Sequence, residues 1–216
     1  MKPRALDLFC CAGGAGMGLH RAGFDVVGVD IEPQPNHPGV CQFVQADALT
    51  YPLDGFDFIW ASPPCQAFTA YKRRPNHVAP RPNLIPAMRD RLRASDLPFV
   101  IENVPTAPLL DPIILCGSMF GLDVKRHRLF ELNFPILVPE CDHGRWTRRF
   151  KPASNRTALR YTIEIGAYDE PLPRQYAAIG IDWMTRQELS QAVPPAYAEH
   201  IGRAALAHIN QTQAVG

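Results

Sequence analysis

The first thirty-one residues constrain the fold more than any other part of the chain. A short apolar run, Ala5–Phe9, leads into a turn with four glycines and then into a helical segment that ends at Gly23. A second apolar run follows and closes on Asp30. A strand, a glycine-rich turn, a helix and a strand that ends in an acid are typical of a nucleotide-binding βαβ unit, although the glycines could equally serve a close crossing of helix and strand. The glycines lack the G-x-G-x-x-G spacing of dinucleotide dehydrogenases, so a nicotinamide enzyme is the poorer interpretation.

Residues that could bind a ligand or react with it also lie at or just beyond the ends of three later strand-like segments. In α/β sheets ligands bind beyond the carboxyl ends of the parallel strands. We therefore predict a doubly wound, mostly parallel, Rossmann-like sheet with one ligand-binding edge. The segments and the polar sites that close them are Gln42–Ala46 with Asp47-Ala48, Phe56–Trp60 with Pro63-Pro64-Cys65, and Pro98–Val104 with Glu102-Asn103.

The Pro63-Pro64-Cys65 loop is a stiff connection that carries a thiol. Two prolines fix φ near −65° and remove two backbone donors, so the cysteine has little freedom. Taken alone, Cys65 could equally be a buried structural cysteine. Glu102 is similarly ambiguous: it is either an exposed strand end or a carboxyl that burial keeps partly protonated beside a substrate.

Basic residues cluster in three places. Residues 125–132 alternate at strand period, which puts Arg126 and Arg128 on one face, where they could hold an anion or a carbonyl oxygen; a solvated edge strand is the alternative. Residues 71–82 and 145–160 carry basic side chains and no acid. The second of these stretches also contains aromatic residues, so it is a candidate nucleic-acid surface.

Composition excludes several classes of protein. The formal net charge of +1 says nothing about partners, and 46% hydrophobic residues describe a globular chain. We expect no membrane span, no signal peptide and, since the six cysteines lack a disulfide spacing, a reduced cytoplasmic setting. Cys116, Cys141 and His143 could supply three zinc ligands, but without a CxxC pair we expect no metal site.

Two helices are predicted with their ends. Residues 84–94 have the apolar spacing of an amphipathic helix. Thr185, with Glu188 three residues later, forms a capping-box pattern that begins another helix. A last helix is expected from about Ala196 to Ile209, with Pro195 in its first turn.

Together these motifs resemble the S-adenosylmethionine-dependent cytosine-5 DNA methyltransferases over nearly the whole chain apart from residues 133–180. The compact size is similar to that of the short methylases of bacteriophages. The motifs that carry the resemblance are Asp7-Leu8-Phe9 with Gly13-Gly14, Val29-Asp30-Ile31, Asp47-Ala48, Pro63-Pro64-Cys65-Gln66, Glu102-Asn103-Val104, Arg126-x-Arg128 and Ala192-Val193-Pro194-Pro195.

The resemblance implies the class I methyltransferase fold with S-adenosylmethionine over the carboxyl ends of the first strands. Asp30 would hold the ribose, Ile31 would pack on adenine and Asp47 would accept from adenine N6. The final helix would fold back beside the first strand. The remaining cofactor-lining positions implied are Phe9, Ala12, Gly13, Gly14, Ala48, Pro63, Leu84 and Gln191.

The resemblance also implies a mechanism. Cys65, as thiolate, would add to C6 of cytosine, and Glu102, in its acid form, would protonate N3. Arg128, and with it Arg126, would hold the base O2 and the nearby backbone, while Asn103 would help to place the strand end. The expected partner is DNA, a duplex with the target cytosine flipped out, and the chain is expected to act as a monomer.

The chain departs from the family pattern in its cofactor loop and in its size. Cys11 stands where the family usually has a glycine, and Val124 and Ser190-Gln191 also differ. Residues 1–132 with 181–216 are expected to form the cofactor-binding and catalytic domain. Residues 133–180 leave room only for a small, irregular target-recognition insertion, where the family carries a larger domain.

Three alternatives remain open at this point. The same chemistry could act on RNA or on a free pyrimidine nucleotide, and the second of these would need no recognition lobe. The chain could also be a module that binds cofactor or DNA without turnover. The intact set of Cys65, Glu102, Arg126 and Arg128 argues against such a module, and the basic stretch at 145–160 argues for a polymer.

Overall fold

The structure, a computed structural model, describes residues 2–68, 82–144 and 162–215. The strands within these ranges are β1 (Arg4–Leu8), β2 (Asp25–Asp30), β3 (Gln42–Gln45), β4 (Phe58–Ala61), β5 (Phe99–Asn103), β6 (Ile113–Leu115) and β7 (Arg128–Leu132). They form one sheet in the order β3-β2-β1-β4-β5-β7-β6. The first five strands are parallel, and β7 runs antiparallel to both β5 and β6.

Helices cover both faces of the sheet. The helices of the described chain are α1 (Gly14–Ala22), α2 (Ile85–Arg93), α3 (Leu172–Ile179), α4 (Arg186–Gln191) and α5 (Pro195–Val215). One core cluster joins α1 and α5 to one face, and a second joins α2 to the opposite face. The predicted doubly wound α/β fold is therefore confirmed. None of the helices within the described ranges is long and apolar enough to cross a bilayer.

The strands have apolar sequences because both of their faces are covered. Along β1 the side chains alternate between the two faces of the sheet. Leu6 and Leu8 lie in the cluster beneath α2, while Ala5 lies in the cluster beneath α1 and α5. The three side chains are fully buried. A continuous apolar run in the sequence thus corresponds to a central parallel strand.

Small residues let α5 approach α1 closely. A Cβ added to Gly18 would lie 2.2 Å from the carbonyl oxygen of Pro195, and one added to Gly202 would lie 2.9 Å from the Cβ of Ala22. Both distances are far below van der Waals contact, so only glycine fits at these positions. These contacts fix the start of α5 against the middle of α1.

Most predicted elements are confirmed within a few residues, and the exceptions have physical reasons. The capping box at Thr185 is present, with the Glu188 amide donating to Thr185 Oγ1. The last helix is longer than predicted, since α5 extends to Val215. Strand β6 is too short to show a period in the sequence. The predicted strand over 125–132 begins only at Arg128.

The segment 133–180 is more regular than predicted, because it contains α3. Its described parts pack onto the sheet domain: Phe134 joins the core cluster of α1 and α5, and Ile163 packs with Val124 and Ala178. The Ile163 amide also donates to the carbonyl oxygen of Asp123 at 2.7 Å. These contacts anchor both described ends of the segment on the rest of the fold.

Asp7 gives the fold a pH-dependent stability. It is fully buried on β1, and burial raises the pKa of its carboxyl to about 8, although the Gly16 amide opposes the shift. The native state therefore keeps a proton that the unfolded chain releases near pH 4. This contribution is complete below about pH 4 and is lost as the pH rises to about 8.

We expect Asp7→Asn to become more stable relative to the wild type as the pH rises. Across this window the difference in unfolding free energy should grow by up to about 1.4 kcal/mol per pH unit. Urea unfolding at several pH values measures it. The exposed Asp25, on the neighbouring strand, supplies the control variant Asp25→Asn. Parallel stability curves for Asp7→Asn and the wild type would contradict the assignment.

Candidate active site

The Cys65 loop leaves the sheet at the carboxyl end of β4. The Ser62 amide donates to the carbonyl oxygen of Leu8 at 3.1 Å, which extends the strand pairing by one residue. Pro63 is buried and Pro64 precedes a single 3₁₀ turn, Cys65–Ala67. The thiol thus sits at the start of a short turn beside the central strands, half-buried and not in a disulfide.

Asn103 ties this loop to the neighbouring strand. Its side-chain Nδ2 donates to the carbonyl oxygen of Pro63 at 2.8 Å, and its Oδ1 accepts from the Val104 amide at 2.9 Å. The side chain is 1% exposed, so water does not compete for either bond. Asn103 therefore fixes the distance between the end of β5 and the loop that carries Cys65.

Glu102 and Arg128 form a buried pair on adjacent strands. The Arg128 Nε lies 3.2 Å from the Glu102 Oε1, and both side chains are mostly buried. Burial raises the pKa of Glu102, while Arg128 and a hydrogen bond with Ser62 oppose the shift. The carboxyl is therefore poised to hold a proton more readily than an exposed glutamate would.

Cys65 belongs to the same electrostatic group. Burial raises the pKa of its thiol, the Glu102 carboxylate raises it further, and Arg128 and Arg126 oppose the shift. Neutralising Glu102 would therefore favour the thiolate. The three sequence-predicted residues Cys65, Glu102 and Arg128 come together at one edge of the sheet.

Arg126 lies nearby but has structural partners. Its Nε donates to the carbonyl oxygen of Ala192 at 3.0 Å and its Nη2 to that of Ser190 at 2.5 Å. Burial lowers the pKa of the guanidinium to about 9. The buried Tyr197 hydroxyl in turn donates to the Arg126 carbonyl oxygen at 2.6 Å. Arg126 thus joins the approach to β7 to the end of α4 and the start of α5.

The Asp30 carboxylate joins the glycine-rich turn to the end of β2. Its Oδ2 accepts from the Cys11 amide and its Oδ1 from the Glu32 amide, each at 3.0 Å. It is 8% exposed. A carboxylate oxygen has two lone-pair directions, so both oxygens can still accept from ligand hydroxyls.

Backbone conformation explains the unusual residue in this turn. Gly13 has φ 74°, and Cys11 has φ 45°, in the left-handed region that favours glycine. Phe9 has φ 60° and also lies in this region. The cysteine that occupies a usual glycine position therefore adopts a glycine-like backbone and carries local strain.

The carboxyl-terminal segment closes over the same turn. A Cβ on Gly14 would lie 2.6 Å from the carbonyl oxygen of Val193, and Trp183 Nε1 donates to the carbonyl oxygen of Ala12 at 2.8 Å. Trp183 was not among the site residues predicted from the sequence. The available signal was that a buried indole N–H needs an acceptor.

The other predicted cofactor positions lie at the ends of elements around this edge. Ile31 follows β2 and is 65% exposed, which is high for a large apolar side chain. Asp47 is exposed, with Oδ1 accepting from the Leu49 amide, and Ala48 is buried. Leu84 caps the start of α2, and Gln191 is the exposed last residue of α4. The predicted basic stretches at 71–82 and 145–160 fall outside the described residues, apart from Pro82.

Asn103 offers a test of positioning. As a test of the predicted nucleophilic role of Cys65, we expect Asn103→Ala to lower kcat by about 100-fold, because a small displacement of a reacting group has an effect of that order. KM for the cofactor should stay near the wild-type value, since the change lies at the Pro63 loop. Steady-state kinetics on folded protein measure this split between kcat and KM.

Asn133 provides a matched control at the other end of β5. Its Oδ1 accepts from the Phe99 amide at 2.8 Å and its Nδ2 donates to the carbonyl oxygen of Leu97 at 3.0 Å. Asn133→Ala removes the same kinds of bond but should lower stability without changing kcat. Equal kcat values in Asn103→Ala and Asn133→Ala would refute a positioning role for Asn103.

Comparison with known proteins identifies related sequences. Residues 4–107 match the family model for the C-5 cytosine-specific DNA methylase. The chain is also 29% identical to the Type II methyltransferase M.AgeI of Thalassovita gelatinovora in an alignment of 136 positions that covers 55% of this chain. The match covers 29% of that protein. The chain therefore spans less than a third of the curated relative.

The fold is shared by a solved structure of similar length. A crystal structure of a prophage-encoded E. coli protein, assigned there as a DNA modification methyltransferase, superimposes with a TM-score of 0.60 at 17% sequence identity. The match covers 97% of this chain and 99% of the other. The two proteins thus share one fold, which in the described residues of this chain is built on a mixed seven-stranded sheet.

Proposed function

We propose that this chain, whose residues 4–107 match the family model for the C-5 cytosine-specific DNA methylase, transfers a methyl group from S-adenosylmethionine to C5 of cytosine in DNA. The reaction passes through a covalent adduct between Cys65 and C6 of a flipped-out base. The observation that carries the proposal is the convergence of Cys65, Glu102 and Arg128 at one sheet edge.

The residues at the glycine-rich turn fit S-adenosylmethionine, the methyl donor of the family. Asp30 offers carboxylate oxygens to the ribose hydroxyls, and the exposed Ile31 offers an apolar face to adenine. Asp47 accepts from the exocyclic amine. When bound, the donor supplies an electrophilic methyl group on a sulfonium. The remaining proposed lining positions are Phe9, Ala12, Gly13, Gly14, Ala48, Pro63, Leu84 and Gln191.

Each catalytic side chain has a distinct role in the proposed reaction. The Cys65 thiolate forms a bond to C6, and Glu102 donates its proton to N3 as the ring gains electrons. Arg128 holds the Glu102 carboxyl and the base O2. After the methyl group is on C5, water accepts the C5 proton, the C5–C6 double bond re-forms as the bond from C6 to the Cys65 sulfur breaks, and N3 returns its proton to Glu102. Arg126 supports this edge through the end of α4.

The domain organisation completes the proposal. Residues 1–132 and 181–216 form the catalytic part, and 133–180 form a small insertion that contacts DNA. The substrate is a duplex from which the target cytosine is flipped, and the chain acts as a monomer. The basic stretch 145–160 supports a polymeric substrate.

A direct assay separates the candidate substrates. Labelled S-adenosylmethionine is incubated with duplex DNA, single-stranded RNA or a free cytidine nucleotide, and the products are digested to nucleosides. We expect 5-methylcytosine from DNA alone. Methylation of RNA or nucleotide in preference to DNA would replace the proposed substrate, and cofactor binding without product on any of them would indicate a non-catalytic module.

A further inference from the structure

Four potential metal ligands lie together on the side of the sheet formed by β6 and β7. Cys116 follows β6, His127 precedes β7, and Cys141 and His143 lie on the segment beyond β7. Their ligand atoms all lie within 4.8 Å of one another. The active-site mechanism uses none of the four.

Three of the six distances between these atoms lie within about 0.5 Å of the sulfur–nitrogen edge, about 3.5 Å, of a zinc-centred tetrahedron. Nε2 of His143 lies 3.3 Å from Sγ of Cys116 and 3.1 Å from Sγ of Cys141, and Nε2 of His127 lies 3.6 Å from Sγ of Cys141. Zn²⁺ bonds of about 2.3 Å to sulfur and about 2.0–2.1 Å to nitrogen give tetrahedron edges of about 3.4–3.8 Å. The observed spacing is therefore that of a site that needs little rearrangement to close on an ion.

The chemistry of the four donors selects the metal. Two thiolates and two imidazoles in a tetrahedral arrangement are typical of Zn²⁺, whereas Mg²⁺ and Ca²⁺ take oxygen ligands. The set fills all four positions, which is the mark of a structural site and not of a catalytic one. Ser118 Oγ lies 3.4 Å from Sγ of Cys116 and 3.5 Å from Sγ of Cys141, so a hydroxyl is placed beside both sulfurs.

From these observations we propose that Cys116, His127, Cys141 and His143 bind one structural Zn²⁺. The ion crosslinks the β6 end, the approach to β7 and residues 141–143. His127 stands between Arg126 and Arg128 in the sequence, so the ion also steadies the segment that carries both arginines.

The test measures metal in the full chain, purified without an affinity tag and without added chelator. We expect about one zinc per chain by elemental mass spectrometry, and removal by a strong chelator should lower the Tm. Replacement of the zinc by Co²⁺ should give the visible absorption of a tetrahedral thiolate site. These readouts do not depend on catalytic activity, so they can fail while the proposed function stands.

Variants at the exposed end of the cluster separate ligation from folding. Cys141→Ser and His143→Asn should weaken zinc binding by on the order of 100-fold or more in competition with a chromophoric chelator, while circular dichroism shows the fold retained. The controls Cys41→Ala and His20→Asn lie outside the cluster and should bind zinc as the wild type does. Wild-type affinity no greater than that of Cys141→Ser, or a Cys116–Cys141 disulfide in the purified chain, would overturn the proposal.

Discussion

We expect Cys65→Ala to lose methyl transfer by at least about 10⁴-fold while it keeps the fold and cofactor binding. Without the thiolate, C5 of cytosine is not activated by addition at C6, so the remaining groups have no nucleophilic carbon to assist. Incorporation of labelled methyl groups into DNA measures the loss. Calorimetric titration of the cofactor shows that binding persists.

The matched control is another cysteine. Cys41 is 6% exposed in the core beneath α1 and takes no part in the proposed site. Cys41→Ala should therefore retain turnover near that of the wild type. Substantial methyl transfer by Cys65→Ala would refute the covalent mechanism for any of the candidate substrates.

The second large effect is expected from Glu102→Gln, which should lower kcat by about 10²–10⁴-fold. Glutamine keeps the shape of the side chain but has no acidic proton for N3. The substitution also removes a buried negative charge beside Cys65, so the pKa of the thiol should fall. Kinetics across a range of pH separate these two consequences.

The expected pH dependence of kcat/KM follows from the raised pKa values of Glu102 and Cys65. The wild type needs Glu102 protonated and Cys65 ionised, so kcat/KM should rise up to the raised pKa of Glu102 and fall above the raised pKa of Cys65. In Glu102→Gln only the thiol titrates, so kcat/KM should rise to a plateau without an alkaline fall. A bell-shaped profile in this variant would contradict the role of Glu102.

Glu131→Gln is the control for loss of a buried carboxylate. Glu131 lies on β7, is 4% exposed and pairs with Arg89 at 2.7 Å, away from Cys65. Its substitution leaves the Arg89 guanidinium without its charged partner, so stability should fall. The shape of the pH profile should not change.

The ligand-binding edge of the sheet could be predicted because its polar residues lie at the carboxyl ends of strands. Asp30 and Glu102 each interrupt an apolar run, and a charged residue at the end of a buried strand marks the place where parallel strands present ligands. The Cys65 loop was predicted to lie beside them because it also follows the end of an apolar strand. Helix ends were equally readable where local chemistry sets them, as at Thr185 with Glu188.

The contacts that hold the site together were not predictable from local pattern. The hydrogen bond from Asn103 to Pro63 joins residues forty positions apart, and the bonds of Arg126 reach the end of α4. Both depend on tertiary packing. The sequence suggested an anion or a carbonyl oxygen as the partner of Arg126, and the structure shows two backbone carbonyl oxygens, but the sequence did not indicate that they belong to Ser190 and Ala192.

The proposed zinc site also depends on tertiary contacts that the local sequence pattern does not predict. The absence of a CxxC pair led to the expectation of no metal site, and His127 was considered only as the residue between two arginines. An antiparallel pairing of β6 with β7 brings Cys116 beside His127, and the chain then returns Cys141 and His143 to both. Ligand sets assembled in this way have no sequence spacing to recognise.

The most direct test of the central claim is to trap the protein on DNA that contains 5-fluorocytosine, with S-adenosylmethionine present. Fluorine at C5 cannot leave as a proton does, so the reaction should stop at the covalent stage. We predict a denaturation-resistant complex, with the modified peptide containing Cys65 and no complex from Cys65→Ala. Methyl transfer to ordinary cytosine DNA without any trapped complex on the fluorinated DNA would contradict the covalent mechanism.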